Sequence, residues 1–112
     1  MQMIKALEQP IVANPHDIEA RKLHDTEHAQ VMHLTLKPGQ SLKKHITPVD
    51  VFFYVLEGTG VVEIGQESRS AGPNTLIESP ARTPHCWHNR GDAVLRVLVV
   101  KTPRPTEATR FL

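Results

Sequence analysis

Gly39-Gln40-Ser41-Leu42-Lys43-Lys44-His45-Ile46-Thr47 leads through Pro48-Val49-Asp50-Val51 into Phe52-Phe53-Tyr54-Val55-Leu56-Glu57-Gly58. This stretch decides the fold. A glycine turn opens it and a histidine stands near the end of a strand-length run. A β-branched and aromatic run follows and stops at a second glycine. A second segment repeats the logic: Pro80-Ala81-Arg82-Thr83-Pro84-His85-Cys86-Trp87-His88-Asn89 sets another histidine just after a proline turn. Each segment reads as strand punctuated by Gly, Pro and Asn, so the chain reads as all-β.

Strand signals recur on both sides of these segments. Residues 31–36 alternate and stop at Lys37-Pro38-Gly39. Residues 61–64 end at Gly65-Gln66, residues 75–78 follow Gly72-Pro73-Asn74, and residues 94–100 form the last strong run. Short strands at this spacing indicate a sandwich or barrel. Residues 17–23 fit either a short helix or a strand. The run 51–56 is apolar on both faces, whereas an exposed hairpin strand would alternate. One face therefore belongs to a barrel interior. The other, with Phe52, Tyr54 and Leu56, calls for a covering surface, and a homodimer is the expected partner.

Length and composition bound the rest. The 112 residues fit one domain with one modest core. Thirteen Lys and Arg against 12 Asp and Glu leave a formal charge of +1, with no basic stripe for nucleic acid. The longest apolar runs are far short of the roughly 20 residues that span a bilayer. The N-terminal residues lack a charged region followed by an apolar one, so no secretory signal is expected. Cys86 is the single cysteine and forms no internal disulfide, which agrees with a reducing cytoplasm.

At this point the residues resemble a family. Gly39, His45 and Gly58 fall on the first motif of small single-domain cupins, G-x5-H-x-H-x(3,4)-E-x6-G. Pro80, His85 and Asn89 fall on the second, G-x5-P-x-G-x2-H-x3-N. The likeness implies a double-stranded β-helix, or jelly-roll cupin barrel, over residues 31–103. Residues 1–30 would form an N-terminal strand or arm, and residues 104–112 an extended, proline-rich tail. It also implies His45 and His85 as ligands of a divalent transition metal. The family's second histidine is replaced by Thr47, its glutamate by Val51 and the glycine of its second motif by Arg82.

Strand alternation gives the site a shape without the family. If His45 faces inward, so do Thr47, Val51 and Phe53; if His85 does, so does Trp87. Cys86 and His88 then face away. The expected pocket has two imidazoles and a hydroxyl above Val51, Phe53 and Trp87, which suits a small-molecule ligand. Two imidazoles without a carboxylate fall short of the three protein ligands of a zinc or non-haem iron site. A third would have to come from Asp50, re-aimed by a bulge, from His33, or from water or substrate. Arg82 reads as a rim residue or as an anchor for an anionic substrate. The residues thus leave two functions open. One is a barrel enzyme with a reduced two-histidine metal site; the other is a metal-free binding or sensor module.

Overall fold

The computed structural model describes all 112 residues. In chain order the strands are β1 (Ile11–Val12), β2 (Glu19–Asp25), β3 (Gln30–Leu36), β4 (Ser41–Ile46), β5 (Asp50–Glu57), β6 (Gly60–Ile64), β7 (Glu67–Ala71), β8 (Leu76–Ser79), β9 (His85–His88), β10 (Leu95–Thr102) and β11 (Arg110–Phe111). One turn of 3-10 helix, Ala6–Glu8, precedes them. No helix is long and apolar enough to cross a membrane. The strands form two antiparallel sheets, in the orders β1-β2-β3-β10-β5-β8 and β11-β4-β9-β6-β7. This is the expected jelly-roll barrel. Residues 17–23, which fit helix or strand, lie mostly in β2, where Ala20 buries its side chain opposite Leu34. The tail does not simply run off, because its last residues return as β11 on the edge of β4.

The inward faces follow from register. Val51, Phe53 and Val55 alternate with half-buried Phe52, Tyr54 and Leu56 along β5. Val97 and Val99 of β10 sit opposite Val55 and Phe53. With Leu34, Leu36, Leu42, Val62, Trp87 and Leu95 they form the core. Gly58 turns the chain after β5 with φ +79°, and a Cβ there would lie 2.2 Å from the Val94 carbonyl oxygen. That conformation is open to glycine and strained for other residues. Arg82, which stands where the cupin motif has glycine, holds φ +64°, a left-handed conformation that glycine adopts at no steric cost. Asn89, the last residue of that motif, is structural: its amide donates to the carbonyls of Leu36 and Ala93, and its oxygen accepts from the Gly91 N–H.

One irregularity positions the site. Leu42 pairs with Trp87 and His45 with His85, so three steps along β4 match two along β9. The extra residue is a β-bulge at exposed Lys43 and Lys44. It lets Leu42 and His45 both face inward at an odd spacing.

Candidate functional site: an imidazole pair in the barrel cavity

A cavity of about 300 Å³ opens into the barrel. Of the residues expected there, His45, His85, Thr47 and Phe53 line it. Val51 and Trp87 do not, which corrects the expected floor. Both face inward, at 3% and 1% exposure, but inward is not the same as cavity-lining. Trp87 packs at the level of Gly60, where an added Cβ would stand 2.9 Å from its ring. Phe53 packs edge-on to both His85 and Trp87, with ring centroids 5.2 and 5.7 Å apart. Val51 borders a separate cleft with Asp50, Phe52 and Leu76.

The third-ligand candidates also lie elsewhere. His33 is fully buried on the outward face of β3, where Arg96 Nε donates to its Nε2 at 3.2 Å. Leu34 and Leu36 hold the inward face, so parity turns His33 out. Asp50 is exposed and accepts the Ala81 N–H at 2.8 Å. Arg82 stands outside the cavity and pairs with Glu107 of the tail at 3.7 Å.

Among the lining residues that the sequence reading did not place there, His16, Lys101 and Phe111 matter most for the chemistry. Lys101 extends the inward row of β10, opposite Val51, and the alternation of β10 could have revealed it. Phe111 depends on the return of the tail. Its ring centroid lies 5.3 Å from that of His16 and 5.7 Å from that of His45.

The hydrogen bonds place each proton. Lys43 donates its N–H to His16 Nδ1 at 2.8 Å, and its carbonyl faces His45 Nδ1. A carbonyl only accepts, so His45 carries its proton on Nδ1 and presents a bare Nε2. That Nε2 lies 3.0 Å from His85 Nε2, so His85 donates there. His85 Nδ1 then accepts from the Ser79 hydroxyl at 2.7 Å. The result is a directional chain from Ser79 through His85 and His45 to the Lys43 carbonyl. Thr47 Oγ1 stands 3.4 Å from His85 Nε2.

The electrostatics agree with neutral imidazoles. Burial, then the neighbouring His45, pushes His85 down to about 3. Burial, then His45 and Lys43, lowers His16 to about 4. Burial also lowers His45, against the Lys43 carbonyl, which favours its protonated form. Burial lowers Lys101 below the ordinary lysine value. No carboxylate lines the cavity.

Cupin barrels commonly hold a metal, and the fit can be tested on these residues. The Nε2 atoms of His45 and His85 converge, while His16, the third imidazole of the cavity, is held by its Nδ1 on the Lys43 N–H. No Asp, Glu or Cys joins them, and a lysine amine shares the space. His45 and His85 are the only donors here that meet, and His16 completes no trio with them within 4.8 Å. A stable site needs three protein ligands, so the cavity does not fit a resident metal well.

Residues 32–101 match the model of the cupin domain. The chain belongs to the cupin family. Protein MJ0764 of Methanocaldococcus jannaschii, whose function is uncharacterised, is 27% identical over 85 residues, which are 75% of this chain and 73% of that protein. Its crystal structure, an RmlC-like cupin with a double-stranded β-helix fold, superposes with a TM-score of 0.73 at 24% identity, over 88% of this chain and 94% of that one. Protein TT1209 of Thermus thermophilus is 32% identical with a TM-score of 0.78, over 91% of this chain and 98% of that one. A 5-nitrosalicylic acid 1,2-dioxygenase from Bradyrhizobium is 25% identical over 91 residues, 69% of this chain but 44% of the dioxygenase.

The other face of β9 carries a second group of polar residues. Cys86 Sγ donates to Glu63 Oε2 at 3.1 Å, and His88 Nε2 lies 2.7 Å from the same oxygen. Burial and the Glu63 carboxylate push the Cys86 thiol up to about 12, so it is no nucleophile at neutral pH.

Proposed function

We propose that the cavity binds a small organic anion with an apolar or aromatic body, and that it does so without a resident metal. One observation carries the reading: Lys101 shares the cavity with His16, His45 and His85, and no carboxylate opposes them. An anion entering here would pair with the lysine. It could also take hydrogen bonds from Thr47 and from a protonated imidazole. Phe53, Phe111, Leu34 and Val99 supply apolar walls. The volume, about 300 Å³, suits a molecule near the small end of the range for such sites. The similarity to a dioxygenase named for an aromatic carboxylic acid supports the choice of ligand class.

The pH dependence has a definite sign. His85 and His16 are neutral in the free protein at pH 7, because their values lie near 3 and 4. A bound anion favours their protonated forms and raises both values, so affinity rises as pH falls through the values of the bound state, for as long as the ligand itself stays ionised.

A competing reading places a divalent ion on His45 and His85, with ligand oxygens completing its shell. The 3.0 Å approach of the two Nε2 atoms favours it. Thermal shift with aromatic and aliphatic carboxylates, set beside their neutral amides, separates the two. Binding only the native state raises the melting temperature by mass action. Carboxylates should stabilise the metal-stripped protein, the amides should not, and Lys101→Met should abolish the shift. Equal shifts with the amides would overturn the anion site. A shift seen only with divalent ions, and lost in His45→Gln, would establish the competing reading.

A further inference from the structure

The outer face of the five-stranded sheet carries chemistry that the cavity does not use. In β6 and β9, Glu63 stands directly opposite Cys86, and Val61 opposite His88. Cys86 and His88 are two residues apart, so they share the outward face of β9. Glu63 projects from the same face of the neighbouring strand, directly across from one and diagonal to the other. Directly opposed side chains start with Cβ atoms about 5 Å apart, which is close enough for all three to meet.

They do meet. Sγ to Oε2 is 3.1 Å, Sγ to His88 Nε2 is 3.5 Å and Nε2 to Oε2 is 2.7 Å. No other trio of His, Cys, Asp or Glu side chains in the molecule brings its ligand atoms within 4.8 Å of one another. Bonds of about 2.3 Å to sulfur and about 2.0–2.1 Å to nitrogen or oxygen, set tetrahedrally, need edges near 3.5 Å. The sulfur–nitrogen separation already matches such an edge, and the 3.1 and 2.7 Å separations would open on binding. A fourth atom orients the group: Ser41 Oγ lies 2.9 Å from His88 Nδ1, and Ser41 is the register partner of His88 on β4. With the His88 proton on Nδ1, that nitrogen donates to Ser41 Oγ, and a far N–H donated to an acceptor is the usual support of a metal-bound histidine.

We propose that Glu63, Cys86 and His88 form a site for one divalent transition ion of the zinc type, on the face of β9 opposite the cavity. The donor set, one thiolate, one imidazole and one carboxylate, suits zinc and its close analogues. On binding, the Cys86 thiol proton passes to water and sulfur bonds to the ion. The hydrogen that His88 Nε2 directs at Glu63 is given up and His88 is protonated on Nδ1 instead, which frees Nε2 for the ion. Thiolate and carboxylate together then balance the two positive charges. Lys44 acts electrostatically on Glu63 and Cys86, and Arg90 on Cys86. The Glu63 and His88 side chains are 30% and 27% exposed, so the ion has a path in and water can complete its fourth position.

Cobalt(II) tests the site directly, because cobalt bound to thiolate absorbs in the near ultraviolet and tetrahedral cobalt absorbs in the visible. The full chain, free of a histidine tag, stripped with chelator and kept reduced by a phosphine, is titrated with Co²⁺. One ion per chain should bind with a thiolate-to-cobalt band, and Zn²⁺ should displace it. Cys86→Ser should remove that band, and Ser41→Ala should weaken binding about tenfold or more. The double variant His45→Gln, His85→Gln should keep the band. Its absence from the wild-type protein at saturating Co²⁺, or its survival in Cys86→Ser, would overturn the site. So would its loss in the double variant with the fold intact by circular dichroism. If Cys86→Ser does not fold, Glu63→Gln decides: an undiminished band there overturns the proposal equally.

Discussion

The two faces of β9 make the most instructive contrast in the molecule. Inward, His85 and Trp87 are nearly inaccessible. His85 belongs to a chain of hydrogen bonds closed by a serine, a second histidine and a backbone carbonyl. Outward, Cys86 and His88 meet a carboxylate. Four consecutive residues thus serve two environments, and alternation alone separates them. The difference lies in the charge each face can hold. The inner face has imidazoles and a lysine without a carboxylate, which suits an anion. The outer face has a carboxylate and a thiol, which suits a cation.

The largest expected break in this contrast is mechanical. Phe53→Ala should cost about 3–5 kcal/mol in urea unfolding, because Phe53 is fully buried and the barrel cannot collapse around the void. His88→Ala, at a partly exposed position, should cost no more than about 1 kcal/mol. Equal losses would mean that the outer group, too, is part of the packing.

Acid should act through the inner face. His85 has a folded value of about 3, below its ordinary 6.5. The unfolded chain therefore binds the proton more readily, and the contribution of this residue is fully present above pH 6.5 and is lost as pH falls toward 3. Between pH 6.5 and 4 the loss from His85 is on the order of 3 kcal/mol, at about 1.36 kcal/mol for each pH unit, and His16 adds to it in the same direction. Urea midpoints across this range check the slope, which His85→Gln should flatten. An unchanged slope in that variant would assign acid sensitivity elsewhere.

The smallest effect is chemical and spares stability. With its thiol raised from 9.0 to about 12, Cys86 should react with iodoacetamide at pH 8 roughly a thousandfold more slowly than a free thiol, since the thiolate is the nucleophile. Mass spectrometry over time reads the rate, and alkylation at the free-thiol rate would show that the outer group opens readily.

Much of the barrel was legible in the sequence, since β3, β5, β6, β8 and β10 follow β-branched runs between glycine and proline turns. The two histidines were legible for the same reason. Parity also sent Cys86 and His88 outward. It could not supply Glu63, because that requires knowing that β6 pairs with β9. Nor does alternation tell which inward side chains border open space: Val51 and Trp87 face inward yet miss the cavity, while their register partners Lys101 and Leu42 line it. His16 and Phe111 reach it through non-local contacts, the first by way of the Lys43 N–H and the second through a two-residue strand beyond a proline-rich tail.

The bulge at Lys43 and Lys44 carries one more consequence. The groups that fix His16 and His45 are both main-chain atoms of Lys43. Every amino acid has that carbonyl, and every one but proline has that N–H. The proton arrangement of the imidazole pair is therefore insulated from point substitution at the residue that dictates it. A change in loop length would reach it where a change of side chain would not. In this barrel, part of the site's heredity resides in the count of residues rather than in their identity.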